Sequence, residues 1–283
     1  MGFIYTRTCL TQQSLKKQPI FIIPNIFLEN FIYKKELIYM NKETIDILGL
    51  HFTKKNFNDM IGIISERIHE QKKSFIVTAN PEIVMHSLED KEYRQVLDKA
   101  DYIVPDGIGI IIASKIVGSP LKERVTGYDL MISLLQKADK DGLRIFLLGG
   151  REDINDEAAN NIRNTYSNVK IVGQQHGFFD LNDPQMAEKI ERLSPDIIFV
   201  ALGFPRQEKW IAQHYSIFTK GIFIGVGGSI DVLSGRVKRA PVIWQKMKVE
   251  WLYRLVKQPS RWRRMLALPR FMLSVVKPTK NEK

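Results

Sequence analysis

Thr78, Asn80 and Asp106 are the residues whose types and spacing best suit chemistry, because each closely follows a short apolar run. Residues 75–77 lead into Thr-Ala-Asn-Pro, and residues 102–104 lead into Pro-Asp-Gly. A carboxylate that a turn holds at the end of a strand could act as a general base. Asp106 could equally serve only to shape a turn, since Pro, Asp and Gly are all turn formers.

The elements that must position these side chains are indicated by short apolar runs that alternate with helical periodicity from residue 44 onward. Apolar runs of this length, each followed by a polar turn and a helix-like segment, are typical of buried parallel strands. The pattern predicts an α/β fold with a mostly parallel sheet flanked by helices. The predicted strands are residues 45–52, 75–78, 102–104, 144–148, 170–172, 197–202 and 222–226, and the predicted helices are residues 57–69, 92–100, 108–117, 127–140, 152–166, 184–193, 206–215 and one that begins at about residue 81.

Glycine turns add to the prediction of a ligand site at the carboxyl edge of this sheet, where open parallel sheets bind their ligands. Gly149-Gly150, Gly203 and Gly227-Gly228 each lie between a predicted strand and a predicted helix. Glycine lets backbone amides approach a ligand, and a helix amino terminus favours phosphate. The three turns together predict a nucleotide pocket. The usual dinucleotide and P-loop glycine strings do not occur, which disfavours a dehydrogenase or a kinase.

The charge of the chain is concentrated at its carboxyl end. Residues 236–283 contain 14 Lys or Arg and 2 Glu, a net charge of +12, while residues 1–235 contain 28 basic and 29 acidic residues, a net charge of −1. Such a segment indicates a polyanionic partner, which could be an anionic membrane, a phosphate-rich substrate or nucleic acid.

The pattern within this cationic segment favours a membrane surface. Tryptophan and other apolar residues recur there at helical spacing with basic residues among them, as is typical of an amphipathic helix on anionic lipid. The alternative is a helix that packs on the sheet and exposes a basic face. Single-stranded nucleic acid would also accept aromatic and basic residues together, but no nucleic-acid-binding motif supports that choice. The apolar residues are Trp244, Met247, Trp251, Leu252 and Leu255, and the basic ones are Lys246, Lys248, Arg254 and Lys257.

Other features limit the possible functions. Cys9 is the single cysteine, which excludes an intrachain disulfide and indicates a reducing compartment. The five histidines lack metal-ligand spacing, so we predict no metal site. No run approaches the ~20 apolar residues that would span a bilayer.

Three regions are predicted along the chain. Residues 1–40 fit the rest poorly, and since Met40 opens a stretch that reads like a protein start, our hypothesis is that residues 1–39 are a dispensable extension. The alternative is a peripheral segment that touches the membrane. Residues 41–235 are the predicted catalytic core, and residues 236–283 the predicted membrane-associating appendage.

An ordered set of motifs resembles the WecG/TagA/CpsF glycosyltransferases of bacterial surface-polymer synthesis. The resemblance covers about residues 45–270. The motifs are T-A-N-P-E at 78–82, V-P-D-G at 104–107, E-R-V-T-G at 123–127, G-F-P-R-Q-E-K at 203–209, G-V-G-G-S-I-D at 225–231 and S-G-R-V-K-R-A-P at 234–241.

The resemblance implies a Rossmann-like fold and an inverting transferase that moves N-acetylmannosamine from UDP to polyprenyl-diphosphate-linked N-acetylglucosamine. The product would be the lipid-linked disaccharide of wall teichoic acid or a related polymer. It further implies an enzyme that needs no bound metal or other cofactor and works peripherally on the cytoplasmic face of the bacterial membrane. A relative that uses another UDP-sugar, such as UDP-glucose, and a non-catalytic nucleotide-sugar binding protein remain alternatives. Self-association is also possible, through apolar surface of the tail.

The resemblance also implies roles for individual residues. Asp106 would be the catalytic base, and Thr78 and Asn80 would position the sugar donor. Positively charged side chains would stabilise the departing UDP, since arginine forks match phosphate oxygens. The alternative for each arginine of the tail is contact with lipid headgroups. The implied donor-binding residues are Arg124, Gln207, Gly227, Gly228, Asp231, Arg254, Arg261 and Arg264, of which Asp231 could instead cap the next helix.

Overall fold

The computed structural model describes residues 43–247, 249–257, 259 and 262–277, without the side chains of Arg254 and Arg263. The predicted extension, residues 1–40, lies outside the described residues. The strands are β1 (Thr44–Ile47), β2 (Leu50–Thr53), β3 (Lys73–Ala79), β4 (Tyr102–Pro105), β5 (Arg144–Gly149), β6 (Lys170–Gln175), β7 (Ile197–Ala201) and β8 (Gly221–Gly225). The helices are α1 (Phe57–His69), α2 (Pro81–Glu89), α3 (Lys91–Leu97), α4 (Ile108–Ile116), α5 (Gly127–Asp141), α6 (Glu152–Thr165), α7 (Gln185–Arg192), α8 (Arg206–His214), α9 (Ser229–Leu233), α10 (Val242–Lys246), α11 (Glu250–Lys257), α12 (Trp262–Met265) and α13 (Ala267–Val276).

The main sheet has six strands in the order β4-β3-β8-β7-β5-β6, and every neighbouring pair is parallel. This arrangement confirms the predicted α/β fold with a Rossmann-like, mostly parallel sheet flanked by helices. The order places β3, the first strand of this sheet in the chain, between β4 and β8. The carboxyl ends of these three strands therefore lie side by side.

Both faces of the main sheet are buried, which explains why its strands read as continuous apolar runs. Side chains alternate along β3, so that Phe75 and Val77 join one core and Ile76 joins the other. Helices α2, α3, α4, α7 and α8 pack on the first face, and α1, α5 and α6 pack on the second.

The prediction of one strand over residues 45–52 is wrong. Strands β1 and β2 form an antiparallel hairpin instead, with Ile47 opposite Leu50. The turn residues Leu48 and Gly49 both have positive φ, 52° and 85°. A two-residue hairpin turn of this type requires positive φ at both central residues. Asn-Gly or Asp-Gly usually marks such a turn in a sequence, and Leu-Gly does not carry that signal.

The described residues of the cationic segment, which begins at residue 236, form short helices rather than one amphipathic helix. Helix α13 packs against α2 and α4, and its Phe271 is fully buried. The membrane-associating role of residues 236–283 stays a prediction. None of the helices within the described ranges is long and apolar enough to cross a membrane.

We expect the packing of α13 to contribute measurably to stability. Phe271→Ala should lower the free energy of unfolding by about 3 kcal/mol, because it removes a large buried side chain. The matched control is Leu273→Ala, which changes a residue of the same helix that is 64% exposed and should cost less than about 0.5 kcal/mol. Urea unfolding of both variants checks this, and equal losses would show that α13 does not dock on the core.

Candidate active site

A cavity of about 790 Å³ lies at the carboxyl ends of β3, β4 and β8. Its wall combines the turns after these strands with the starts of α2, α4 and α5 and with parts of the C-terminal segment. Nine of the eleven residues that the sequence predicts for the site line this cavity: Thr78, Asn80, Asp106, Arg124, Gln207, Gly227, Gly228, Asp231 and Arg264. The other two predictions, the Arg254 side chain and Arg261, lie outside what the structure describes.

Thr78 joins two strands at the edge of the cavity. Its hydroxyl donates a hydrogen bond to the carbonyl oxygen of Gly225 in β8, with 3.1 Å between Oγ1 and O. Gly127, the first residue of α5, packs against it so closely that an added Cβ would lie 3.2 Å from Thr78 Oγ1. The hydroxyl proton is thus engaged within the protein, and the role of Thr78 toward the donor stays a prediction.

Asn80 begins α2 as its N-cap. The side-chain Oδ1 accepts a hydrogen bond from the N–H of Ile83 at 3.0 Å, which satisfies one of the free amides of the first turn. This bond fixes the orientation of the carboxamide. Its Nδ2 is the donor end of the carboxamide, and Asn80 lines the cavity.

Asp106 follows β4 directly and is one of the residues that line the cavity. The backbone is held at this point, because the N–H of Asp106 donates to the carbonyl of Ala79 at 2.9 Å. Gly107 then turns the chain into α4 with a φ of 103° and without a side-chain cap. Asp106 is thus held on a fixed turn beside the ends of β3 and β4, and its role as general base stays a prediction.

Gln207 supports the turn that follows β8. Its Oε1 accepts from the N–H of Gly227 at 3.2 Å, and its Nε2 donates to Glu208 Oε1 at 2.6 Å. Glu208 is 1% exposed, and burial raises the pKa of its carboxyl group to about 7. Our sequence reasoning missed Glu208, although it shares a helix face with the apolar Ile211 three residues later, a spacing that indicates burial.

Of the three glycine turns predicted to meet at one site, two lie at this cavity. The turns at Gly203 and at Gly227-Gly228 line the cavity, whereas Gly149 and Gly150 are not among its lining residues. Strand β7 separates β5 from β8 in the sheet, so the turn after β5 lies farther along the edge. A Cβ on Gly149 would lie 2.3 Å from the backbone of Ala201. The close packing of these two strands therefore explains why residue 149 is glycine.

Ion pairs attach the C-terminal segment to the cavity wall. Glu250, at the start of α11, pairs with Arg124 at 2.6 Å between Oε1 and Nη2 and also lies 3.9 Å from Arg239. Arg264 pairs with Glu82 of α2 at 3.3 Å. From the sequence, Glu250 was counted only as one of the two acidic residues of the C-terminal segment, and Arg124 was predicted only to bind the sugar donor. The ion pair between them was not predicted. The donor-binding role of Arg124 stays a prediction.

The charges around the cavity suit a ligand that carries phosphate. Among the described residues, five cationic and four acidic side chains line it. Helices α2, α4 and α5 begin at its wall, and helix amino termini attract anions. Within the same residues, no group of three or more His, Cys, Asp or Glu could hold a metal ion. The cations are Arg124, Arg236, Lys238, Lys257 and Arg264, and the acids are Glu82, Asp106, Asp231 and Glu250.

Comparison with known proteins identifies the family. The model of the glycosyl transferase WecG/TagA/CpsF family matches residues 45–283. The chain belongs to this family. It is 39% identical over 245 residues to the N-acetylglucosaminyldiphosphoundecaprenol N-acetyl-beta-D-mannosaminyltransferase of Bacillus subtilis strain 168, which covers 86% of this chain and 94% of the relative. It is 37% identical over 239 residues to the protein of the same name from Staphylococcus aureus strain MRSA252. This alignment covers 84% of this chain and 94% of the relative.

The family resemblance predicted from the motifs is thereby confirmed, and the protein is a glycosyltransferase. The structure shows why the motifs occur together in this transferase. T-A-N-P-E ends β3, V-P-D-G ends β4, and G-V-G-G-S-I-D ends β8. G-F-P-R-Q-E-K starts α8 and carries Gln207, so four motifs that are distant in sequence meet at one cavity.

The buried carboxyl of Glu208 should make the stability of the transferase depend on pH. Because its pKa is raised to about 7 in the folded protein, against ~4.3 in an unfolded chain, the folded state retains a proton that the unfolded state loses. The contribution of Glu208 to the free energy of unfolding should therefore fall as pH rises from about 4.5 to about 7 and level off above.

Glu208→Gln should remove this part of the pH dependence, so that the variant gains stability relative to the unmodified protein between pH 5 and pH 8. Urea unfolding at both pH values measures the difference. Glu188→Gln, which changes an exposed carboxylate of α7, is the control that should leave the pH dependence in place. Parallel curves for Glu208→Gln and the unmodified protein would contradict the assignment.

Proposed function

We propose that this transferase moves N-acetylmannosamine from UDP-N-acetylmannosamine to N-acetylglucosaminyl-diphospho-undecaprenol with inversion at the anomeric carbon. The observation that carries the proposal is the meeting of four family motifs at one cavity that holds Asp106. The names of the relatives supply the transferred sugar and the acceptor. The product is the lipid-linked disaccharide from which a wall teichoic acid or a similar surface polymer is built.

Asp106 acts as the general base in this proposal. As the acceptor hydroxyl attacks the anomeric carbon of the donor, its proton passes to the Asp106 carboxylate, and a new glycosidic C–O bond forms. The bond from the anomeric carbon to the diphosphate oxygen breaks, and its electron pair leaves with UDP. One displacement from the opposite face inverts the configuration. Asn80 supports this step, because its Nδ2 can donate to the bound sugar.

The departing UDP gains negative charge, and cationic groups that face that charge lower the barrier. Lys238, Lys257 and Arg264 line the cavity, and α4 begins there without a side-chain cap. We therefore propose that side chains and backbone dipoles, rather than a metal ion, stabilise the leaving group. Arg254 and Arg261 are assigned to the same role by resemblance only.

The lipid-linked acceptor requires that the transferase reach a membrane surface. In the described residues, most of the exposed large apolar side chains lie in the C-terminal helices, among the basic residues of the +12 segment. This mixture suits peripheral binding to anionic lipid on the cytoplasmic face of the membrane. The exposed apolar residues of this segment are Val242, Ile243, Met247, Leu252, Val256, Trp262, Leu266, Leu273 and Val276.

The test is transfer from a panel of labelled UDP-sugars to a synthetic polyprenyl-diphosphate-N-acetylglucosamine. We expect transfer from UDP-N-acetylmannosamine and not from UDP-glucose. Asp106→Asn should lower kcat by ~10²–10⁴-fold, the usual cost of removing a general base, while UDP affinity stays within a few-fold.

Asp141→Asn, at the exposed end of α5, is the control and should keep full activity. Transfer only from UDP-glucose would move the enzyme to a different polymer, and full activity of Asp106→Asn would reduce Asp106 to a turn residue.

A further inference from the structure

Glu208 is a buried carboxyl group that the proposed mechanism does not use. It is 1% exposed and is not among the residues that line the cavity, whereas the preceding Gln207 is. Glu208 Oε2 has no hydrogen-bond partner within the described residues. An incompletely satisfied carboxyl group in the interior lowers the stability of the fold, so its presence there indicates a role other than stability.

Glu208 is connected to the cavity through Gln207. Its Oε1 accepts from Gln207 Nε2 at 2.6 Å, and the Oε1 of Gln207 accepts from the N–H of Gly227 at 3.2 Å. Two hydrogen bonds therefore run from the buried carboxyl group to the turn that forms the cavity wall.

The chemistry of a carboxylate fixes which way the Gln207 amide points. In its ionised form the Glu208 carboxyl group only accepts hydrogen bonds, so it selects the NH₂ end of the amide. The carbonyl end must then face the N–H of Gly227, which can only donate. With an apolar side chain at position 208 the amide could turn over, and two donors would then face each other at Gly227.

Two glycines show how closely the turn is fitted to this pair. A Cβ on Gly225 would lie 2.5 Å from Gln207 Nε2 and 3.3 Å from Glu208 Oε1. Only glycine at the end of β8 therefore leaves room for both side chains. Gly227 has a φ of 47°, a left-handed conformation that favours glycine. The hydrogen bond from Gln207 holds the backbone at that point.

Tyr93 of α3 lies close to the Glu208 carboxyl group. Burial and, after it, the nearby carboxyl group of Glu208 raise the pKa of the Tyr93 phenol. The phenol in turn opposes the rise in the pKa of Glu208, although its hydroxyl forms no hydrogen bond of standard geometry within the described residues. Within the described residues, the bond from Gln207 is the hydrogen bond of standard geometry that the Glu208 side chain accepts from another side chain.

We propose that Glu208 is a positioning residue of the donor site. It orients the Gln207 amide, which holds the Gly227-Gly228 turn in the shape that contacts the diphosphate of the nucleotide-sugar. The identity of that ligand rests on the function proposed above.

A double-mutant cycle tests the proposal with Glu208→Met, Gln207→Met and the double variant. For each protein, the dissociation constant of UDP is measured by calorimetry, kcat and KM by sugar transfer, and the urea midpoint by unfolding at pH 8. Glu208→Met should bind UDP about 10- to 100-fold more weakly, because holding the freed Gln207 amide in place for the ligand then costs up to the free energy of one hydrogen bond to a charged group. It should nevertheless be at least as stable as the unmodified protein, and the double variant should bind no more weakly than Gln207→Met.

Glu208→Gln is the conservative variant, because its side-chain oxygen can still accept from Gln207, and it should keep UDP affinity within about threefold of the unmodified protein. Glu188→Met on the exposed face of α7 is the matched control. Unchanged UDP affinity in Glu208→Met, losses that add in the double variant, or weaker binding that follows lower stability would each overturn the proposal. If the unmodified protein did not bind UDP, the proposed donor would be wrong and this proposal would fall with it.

Discussion

The pairing of β3 with β8 is the contact on which the active-site cavity depends. Thr78 and Gly225 are 147 positions apart in the chain, yet a hydrogen bond joins them at the carboxyl edge of the sheet. With β4 on the other side of β3, this pairing brings the turn that carries Asp106 and the glycine turn of β8 to the same cavity. The proposed base and the proposed backbone surface for diphosphate therefore lie at one cavity, although no single strand provides both.

The cationic C-terminal segment is attached to that cavity by carboxylates. Glu250, one of two acids in the segment, pairs with Arg124, while Arg264 pairs with Glu82 of α2. The Arg124–Glu250 pair is mostly buried, with side chains 18% and 12% exposed, so salt screens it less than a surface pair. In the proposed reaction, the segment thus contributes charge to the leaving group and apolar side chains to the lipid surface.

Much of the fold could be predicted from the sequence because strands buried on both faces leave uninterrupted apolar runs. The position of Thr78, Asn80 and Asp106 at one cavity could be predicted, because the carboxyl ends of parallel strands lie at the same edge of the sheet. The β1–β2 hairpin could not be predicted, since a Leu-Gly turn carries no clear signal. Gly149-Gly150 was misplaced because the order of strands is not visible in a single sequence. The roles of Glu208 and Glu250 depend on tertiary contacts that no local pattern reports.

The stereochemistry of the product tests the account most directly, because a base at Asp106 and a single displacement allow only one outcome. The unmodified enzyme would be supplied with α-linked UDP-N-acetylmannosamine and the lipid-linked acceptor, and the anomeric configuration of the disaccharide would be read by NMR. The account predicts a β-linked N-acetylmannosaminyl group. An α-linked product would require retention and would contradict direct attack by an acceptor that Asp106 deprotonates.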